Sequence, residues 1–180
     1  MLKEQLEAVL AIDPEAAALE FRGEWRNWGA LERGSEAIAG ALAEHGLGEG
    51  ARVGILLRNH GELVPALLAA FMTGRCVASL NATAPDGKLA EEILKAAAPA
   101  LIGIAEDWQR PELIAAGREI GAVILSLSEH GVKVIETPDP ARWRQPMAPG
   151  IAIEMLSSGT TGTPKRIALP LANLEKALAE

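Results

Sequence analysis

The 180-residue chain has a single cysteine, Cys76, and no CxxC pair or Cys/His cluster. An internal disulfide and a zinc ribbon are therefore excluded. Positive charge is also scarce, with 17 basic against 24 acidic side chains and a formal net charge of −7. A sequence-independent nucleic-acid binder needs a basic face to neutralise phosphates, so no nucleic-acid partner is expected. Trp25, Trp28, Trp108 and Trp143 lack the spacing of a base-stacking platform. Long apolar runs are missing too. The longest without charge, Leu63 to Gly74, has 12 residues, whereas a membrane-spanning helix needs about 20. The N-terminus, MLKEQLEAVLAIDPE, mixes acids among its leucines and has no signal-peptide apolar block. A cytoplasmic protein without a membrane span is the default expectation.

Hydrolase signatures are absent as well. There is no GxSxG elbow, and Ser128-Glu129-His130 is too local to form a triad. His45, His60 and His130 each precede a glycine at an expected element end. A histidine near a helix C-terminus commonly serves as a favourable charge there, and no catalysis is assigned to them. Cys76 opens an apolar strand and reads as a small core residue.

What is present is ordinary for a globular domain: 49% apolar and 23% charged residues. The pattern alternates short β-like runs with helical stretches. Residues 16–21 and 24–28 flank Arg22-Gly23 and predict a hairpin. A helix is expected over 29–45, ended by the glycine-rich 46–50. Strands are expected at 52–57, 76–80, 101–104 and 123–127, with a short one at 132–135. Helices are expected at 62–73, 86–98 and 111–119. Four β–α alternations with crossover-length connections imply a mostly parallel sheet flanked by helices, an α/β domain. Residues 137–150 hold four of the eleven prolines and read as an extended loop.

The segment with chemical potential comes late. Strand-like Ile151–Leu156 leads into Ser157-Ser-Gly-Thr-Thr-Gly-Thr-Pro-Lys165, then Arg166 and an apolar Ile167–Leu169. Five of the seven residues from Ser157 to Thr163 bear hydroxyls and the other two are glycine. Glycine lets several N–H groups converge, and hydroxyls add donors for phosphate oxygens. Lys165 adds a point charge, stiffened in its approach by Pro164. From Met155 to Leu174 the only ionisable side chains are Lys165 and Arg166, so this stretch is +2 in a chain of −7. It is not a Walker loop. Counting from Gly159, Pro164 replaces the second glycine and Arg166 the hydroxyl. A plain surface turn would not need the Pro-Lys ending, and a polyphosphate cradle is the stronger expectation.

The string at 157–165 resembles the phosphate-loop signature of the adenylate-forming enzymes. These include acyl- and aryl-CoA synthetases, nonribosomal-peptide adenylation domains and beetle luciferases. Further segments are similar in the same order: AlaLeuGluPheArgGlyGluTrp at 18–25, GlyLeuGlyGluGlyAlaArgVal at 46–53, LeuLeuArgAsn at 56–59 and SerLeuAsnAlaThrAlaPro at 79–85. The resemblance implies the N-terminal α/β subdomain of an AMP-dependent synthetase/ligase over residues 1–180, truncated, with a small N-terminal hairpin. It implies ATP, Mg²⁺ and coenzyme A as partners in catalysis by the whole enzyme, with a small carboxylate as substrate. By position in the motif, Ser158, Thr160, Thr161, Gly162 and Lys165 are assigned to the β- and γ-phosphates, and Gly159 to loop freedom. Arg166 stands where the family most often has glycine. It either adds a second phosphate-facing charge or points to solvent, and the usual surface preference of arginine favours solvent.

The expected function is thus that of a fragment of a carboxylate–CoA ligase, inactive alone. Alternatives are an amino-acid-activating domain and a noncatalytic nucleotide- or phosphate-binding module. A helical pattern starting near Leu171 meets Glu180 without a cap, which fits a piece of a longer protein.

Overall fold

The structure, a computed structural model, describes residues 2–156 and 165–179. Helix α1 (Leu2–Ile12) buries Leu2 and Leu10 and packs on α3 (Leu63–Met72). No element was expected at α1, because the acids among its leucines hide a narrow apolar stripe. Strands β1 (Ala17–Phe21) and β2 (Glu24–Asn27) form the expected hairpin, a two-stranded sheet of their own. Its turn residues Arg22 (φ 56°) and Gly23 (φ 85°) are both left-handed, the geometry that matches the twist of a tight hairpin.

Helix α2 (Trp28–Glu44) starts where the Asn27 side chain accepts from Ala30 N–H at 2.8 Å. It ends where Gly46 turns left-handed and Leu47 N–H reaches back to Leu42 C=O at 3.0 Å. The main sheet then assembles from β3 (Arg52–Leu57), β4 (Cys76–Asn81), β5 (Ala100–Ile104), β6 (Val123–Ser128), β7 (Gly131–Glu136), β8 (Ile151–Leu156) and β9 (Arg166–Pro170). Their spatial order is β7-β6-β5-β3-β4-β8-β9. The five inner strands are parallel, and both edges, β7 and β9, are antiparallel. Helix α6 (Leu171–Ala179) follows β9, and Glu175 on it accepts from Leu2 N–H at 2.9 Å.

Both faces are covered, which explains why the inner strands are apolar without alternation. On one face Ile38 and Leu42 of α2 and Leu63, Ala66 and Ala69 of α3 pack on Ile55, Val77, Ile102 and Leu125. On the other, helices α4 (Asp86–Ala96) and α5 (Pro111–Glu119) lay Leu89, Ile93, Leu113 and Ala116 on Leu56, Leu80, Leu101 and Ile124. At about 25 cal/mol per Å² of apolar surface, these two layers supply the main favourable term of the fold.

The proline-rich 137–150 strap is extended as expected, apart from a short 3₁₀ turn at Pro140–Arg142. Its Ala148 N–H donates to Gly50 C=O at 2.7 Å, and its Pro146 C=O accepts from Arg52 N–H at 2.8 Å. The strap thereby delivers β8 alongside β4. Because β3 connects to β4 across one face while α4 and α5 cross the other, the connections diverge between β3 and β5. In parallel α/β sheets ligands bind at the carboxyl ends of the strands, on the side where such connections part.

Candidate phosphate-binding site

The carboxyl edge of the parallel strands is laid out by β3, β5, β4 and β8. After β3, Arg58 pairs with Asp107 and lies 3.6 Å from Glu106. Asp107 is fully buried and its Oδ2 accepts from Ile104 N–H at 2.9 Å. Burial raises the Asp107 carboxyl above its usual range, against the opposing pull of the Ile104 N–H and the Arg58 charge. After β4, Asn81 Oδ1 accepts from Thr83 N–H at 3.1 Å and from its hydroxyl at 2.8 Å. Arg110 holds the same turn by donating to Ala82 C=O and Ala84 C=O, and it pairs with Asp86 at 2.7 Å. The segment 79–85 is thus a rigid polar corner. The hairpin is tied to this edge too, through the Arg26–Glu62 pair and a Phe21–His60 ring contact with centroids 4.7 Å apart.

The hydroxyl-rich segment leaves this edge. Strand β8 ends at Leu156 and β9 starts at Arg166, directly opposite it. Ser158, Gly159, Thr160, Thr161 and Gly162, the expected phosphate contacts, lie outside the described residues. Lys165 is described: it is exposed and stands immediately before β9. The chain therefore runs from a central sheet strand into the segment and returns as an edge strand, so the lysine is anchored next to a strand.

Arg166 differs from expectation. It does not project freely into solvent. Antiparallel pairing puts it in register with Leu156, so its side chain leaves the strand perpendicular to the sheet. It is half-buried, and both terminal nitrogens are shielded from water without a hydrogen-bond partner. Its charge acts on the Cys76 thiol, as do those of Arg52 and Glu154. Burial pushes that thiol up to about 11, Glu154 adds to the rise, and the two arginines oppose it. Cys76 is a buried core residue, as expected.

Sequence reasoning missed the ion pair beside it. Arg52 Nη2 donates to Glu154 Oε1 at 2.6 Å, and Arg52 Nη1 donates to Gln145 C=O and Oε1. The available signal was a charge inside an apolar strand run, Glu154 in IAIEML. It also missed Arg75, 4% exposed, which donates to Leu47 C=O, Ala39 C=O and the Thr73 hydroxyl. Burial lowers its pKa. Arg75 satisfies carbonyls beyond and along α2 and is structural. Among the histidines, His45 caps α2, and His130 is exposed beside Glu129. Among the described residues no group of three or more His, Cys, Asp or Glu is arranged to hold a metal. No helix among them is long and apolar enough to cross a membrane.

Comparison with known proteins agrees with this architecture. The family model described as AMP-binding enzyme matches residues 6–180. Surfactin synthase subunit 3 of Bacillus subtilis is 28% identical over 169 residues, 94% of this chain and 13% of that protein. ATP-bound MatB from Rhodopseudomonas palustris superposes with a TM-score of 0.73 at 22% identity, covering 98% of this chain and 36% of that one. The anthranilate CoA ligase AuaEII, in complex with anthranoyl-AMP, gives 0.71 at 19% identity over 94% of this chain and 34% of its own. The chain thus spans about a third of these solved structures and a smaller part of the synthetase.

Proposed function

Because the chain belongs to the family of AMP-binding enzymes, we propose that it is the part of an ATP-dependent carboxylate–CoA ligase that grips the nucleotide's phosphates. The observation that carries this reading is the string SSGTTGTPK at 157–165, set between a parallel inner strand and its antiparallel return. The carboxylate of a fatty or aryl acid attacks the α-phosphorus of ATP. An acyl–oxygen–phosphorus bond forms and the bond to pyrophosphate breaks, and the thiol of coenzyme A then takes the acyl group and releases AMP.

In this reading Ser158, Thr160, Thr161 and Gly162 supply hydroxyl and backbone donors to the β- and γ-phosphates. Lys165 supplies charge, and Gly159 supplies backbone freedom. These residues hold the triphosphate and offset the charge that grows on departing pyrophosphate. No covalent protein intermediate is needed. The donor set suits oxyanions. Among the described residues no group of three or more His, Cys, Asp or Glu is arranged to hold a metal, and Mg²⁺ is assigned no residue here.

A second reading, activation of an amino acid, is favoured by the likeness to surfactin synthase. Carboxylate-dependent exchange of pyrophosphate into ATP by the complete protein separates the two. Exchange driven by fatty or aryl acids supports the ligase, and exchange driven by amino acids alone supports the second reading. Exchange with neither defeats both. Lys165→Ala in the complete protein is expected to weaken ATP use more than carboxylate binding, and unchanged KM and kcat for ATP would refute its assignment.

A further inference from the structure

A cavity of about 360 Å³ opens at the amino edge of the parallel strands, the edge opposite to the one where β8 ends. It sits at the small end of the roughly 300–1,000 Å³ usual for small-molecule sites. Helices α4 and α5 run back along the sheet, so Leu94 near the end of one and Glu119 and Ile120 at the end of the other meet the strap where β5 and β6 begin. The strap closes the cavity with Arg142, Trp143 and Arg144. Its lining comes from residues 94–144 alone, so the cavity is independent of the triphosphate reading.

One wall is held in place from behind. Trp143 donates Nε1–H to Gly121 C=O at 2.9 Å, which fixes its indole. Arg142 donates Nε–H to Asp139 at 2.9 Å and Nη1–H to Arg118 C=O at 3.1 Å. The charges of Arg142 and Asp139 thus offset each other. One guanidinium, Arg144, and one carboxylate, Glu119, are left at the cavity. Among the described residues neither makes a hydrogen bond or an ion pair, with the other or with any third group. Leu94, Ile120 and Trp143 are half-buried and give the cavity its apolar surface.

This balance selects among ligands by charge. A simple anion would satisfy Arg144 and meet repulsion from Glu119. A simple cation would satisfy Glu119 and meet two arginines. A molecule with one charge of each sign satisfies both and leaves the cavity neutral. We infer that the cavity binds a zwitterion of the free amino acid class with an apolar side chain. The ligand's carboxylate engages the planar fork of Arg144, which suits two oxygens at once. Its ammonium engages Glu119, and its side chain lies against Leu94, Ile120 and the Trp143 ring, where apolar burial adds to affinity.

Isothermal titration of the 180-residue chain with L-leucine, L-phenylalanine, L-phenylalaninamide and N-acetyl-L-phenylalanine tests it. Saturable binding of a free amino acid is expected, with the amide and the N-acetyl compound each weaker by about 10-fold or more, the loss typical of one charge-assisted contact. Arg144→Gln should weaken L-phenylalanine to the level of the amide and remove the preference between the two. Glu119→Gln should do the same for the N-acetyl compound. Both side chains are exposed, so the thermal midpoints of the two variants should stay with wild type. Lys165→Ala, at the other edge, should bind L-phenylalanine unchanged. The inference is overturned if neither amino acid binds at millimolar concentration, or if the N-acetyl compound binds as tightly as L-phenylalanine, which would make this an anion site. Loss of binding in Lys165→Ala with Arg144→Gln and Glu119→Gln both intact would move the amino acid to the opposite edge and overturn it equally.

Discussion

At the residue scale, the charges that matter are those whose neighbours the chain brings from far away. Glu154 and Arg52 are 102 positions apart, and Arg58 and Asp107 are 49 apart. Neither pair can be read from local pattern. Cys76 shows the reverse case, a residue whose surroundings were legible from the apolar strand it opens. Its thiol is buried and pushed up to about 11, so at pH 8 only about one molecule in a thousand carries the reactive thiolate. The native chain is expected to resist Ellman's reagent at that pH and to react at one thiol per chain once unfolded. Rapid stoichiometric labelling of the folded chain would contradict the burial. The same shift gives a sign for stability. The unfolded thiol ionises near its ordinary value of about 8.5. The contribution of Cys76 is therefore intact below that pH and is lost as pH rises towards 11.

At the element scale, the strap 137–150 depends on one glycine. Gly121 sits past the end of α5 at φ +69°, and its carbonyl accepts both Asp139 N–H at 3.0 Å and Trp143 Nε1–H at 2.9 Å. A Cβ there would overlap the Asp139 carbonyl oxygen, which is backbone and cannot swing aside. Gly121→Ala is therefore expected to cost at least about 1–3 kcal/mol from the dihedral alone, and several degrees of thermal midpoint. Gly48 has nothing within 4 Å of a built Cβ, and Gly48→Ala should stay within about 0.5 kcal/mol of wild type. Equal midpoints for the two variants, measured by circular dichroism, would show that the strap is not docked through Gly121. Elements of this kind divide what the sequence disclosed from what it hid. The hairpin, α2 and the inner strands announced themselves, because turn residues, caps and apolar runs are local. Helix α1 did not, since its stability comes from α3 and from the Glu175 contact. The face on which Arg166 lies was hidden too, because it follows from the register of β9 against β8 and not from its neighbours in the chain. Of the candidate site, the string 157–165 and its charge were legible. Its setting against Glu154 and Arg52 was not.

At the scale of the whole molecule, one sheet serves two purposes. Its two faces carry the cores that hold the fold, and its carboxyl edge presents the polar corner at 79–85, the Arg58–Asp107 pair and the end of β8, from which the hydroxyl-rich segment departs. On the reading proposed above, the triphosphate is gripped at that edge. Adenylation demands more: the carboxylate must be held in line with the α-phosphorus, with reacting atoms about 3–3.5 Å apart, and this positioning supplies a large share of the rate. The chain spans 36% of the length of MatB. On the reading proposed above, binding and turnover are separate demands and are measured separately. The 180-residue chain is expected to show no carboxylate-dependent ATP–pyrophosphate exchange above the enzyme-free rate, across fatty, aryl and amino acids. Exchange by the purified chain that persists through further purification and disappears in Lys165→Ala would overturn this. It would mean that this chain positions the carboxylate as well as the nucleotide.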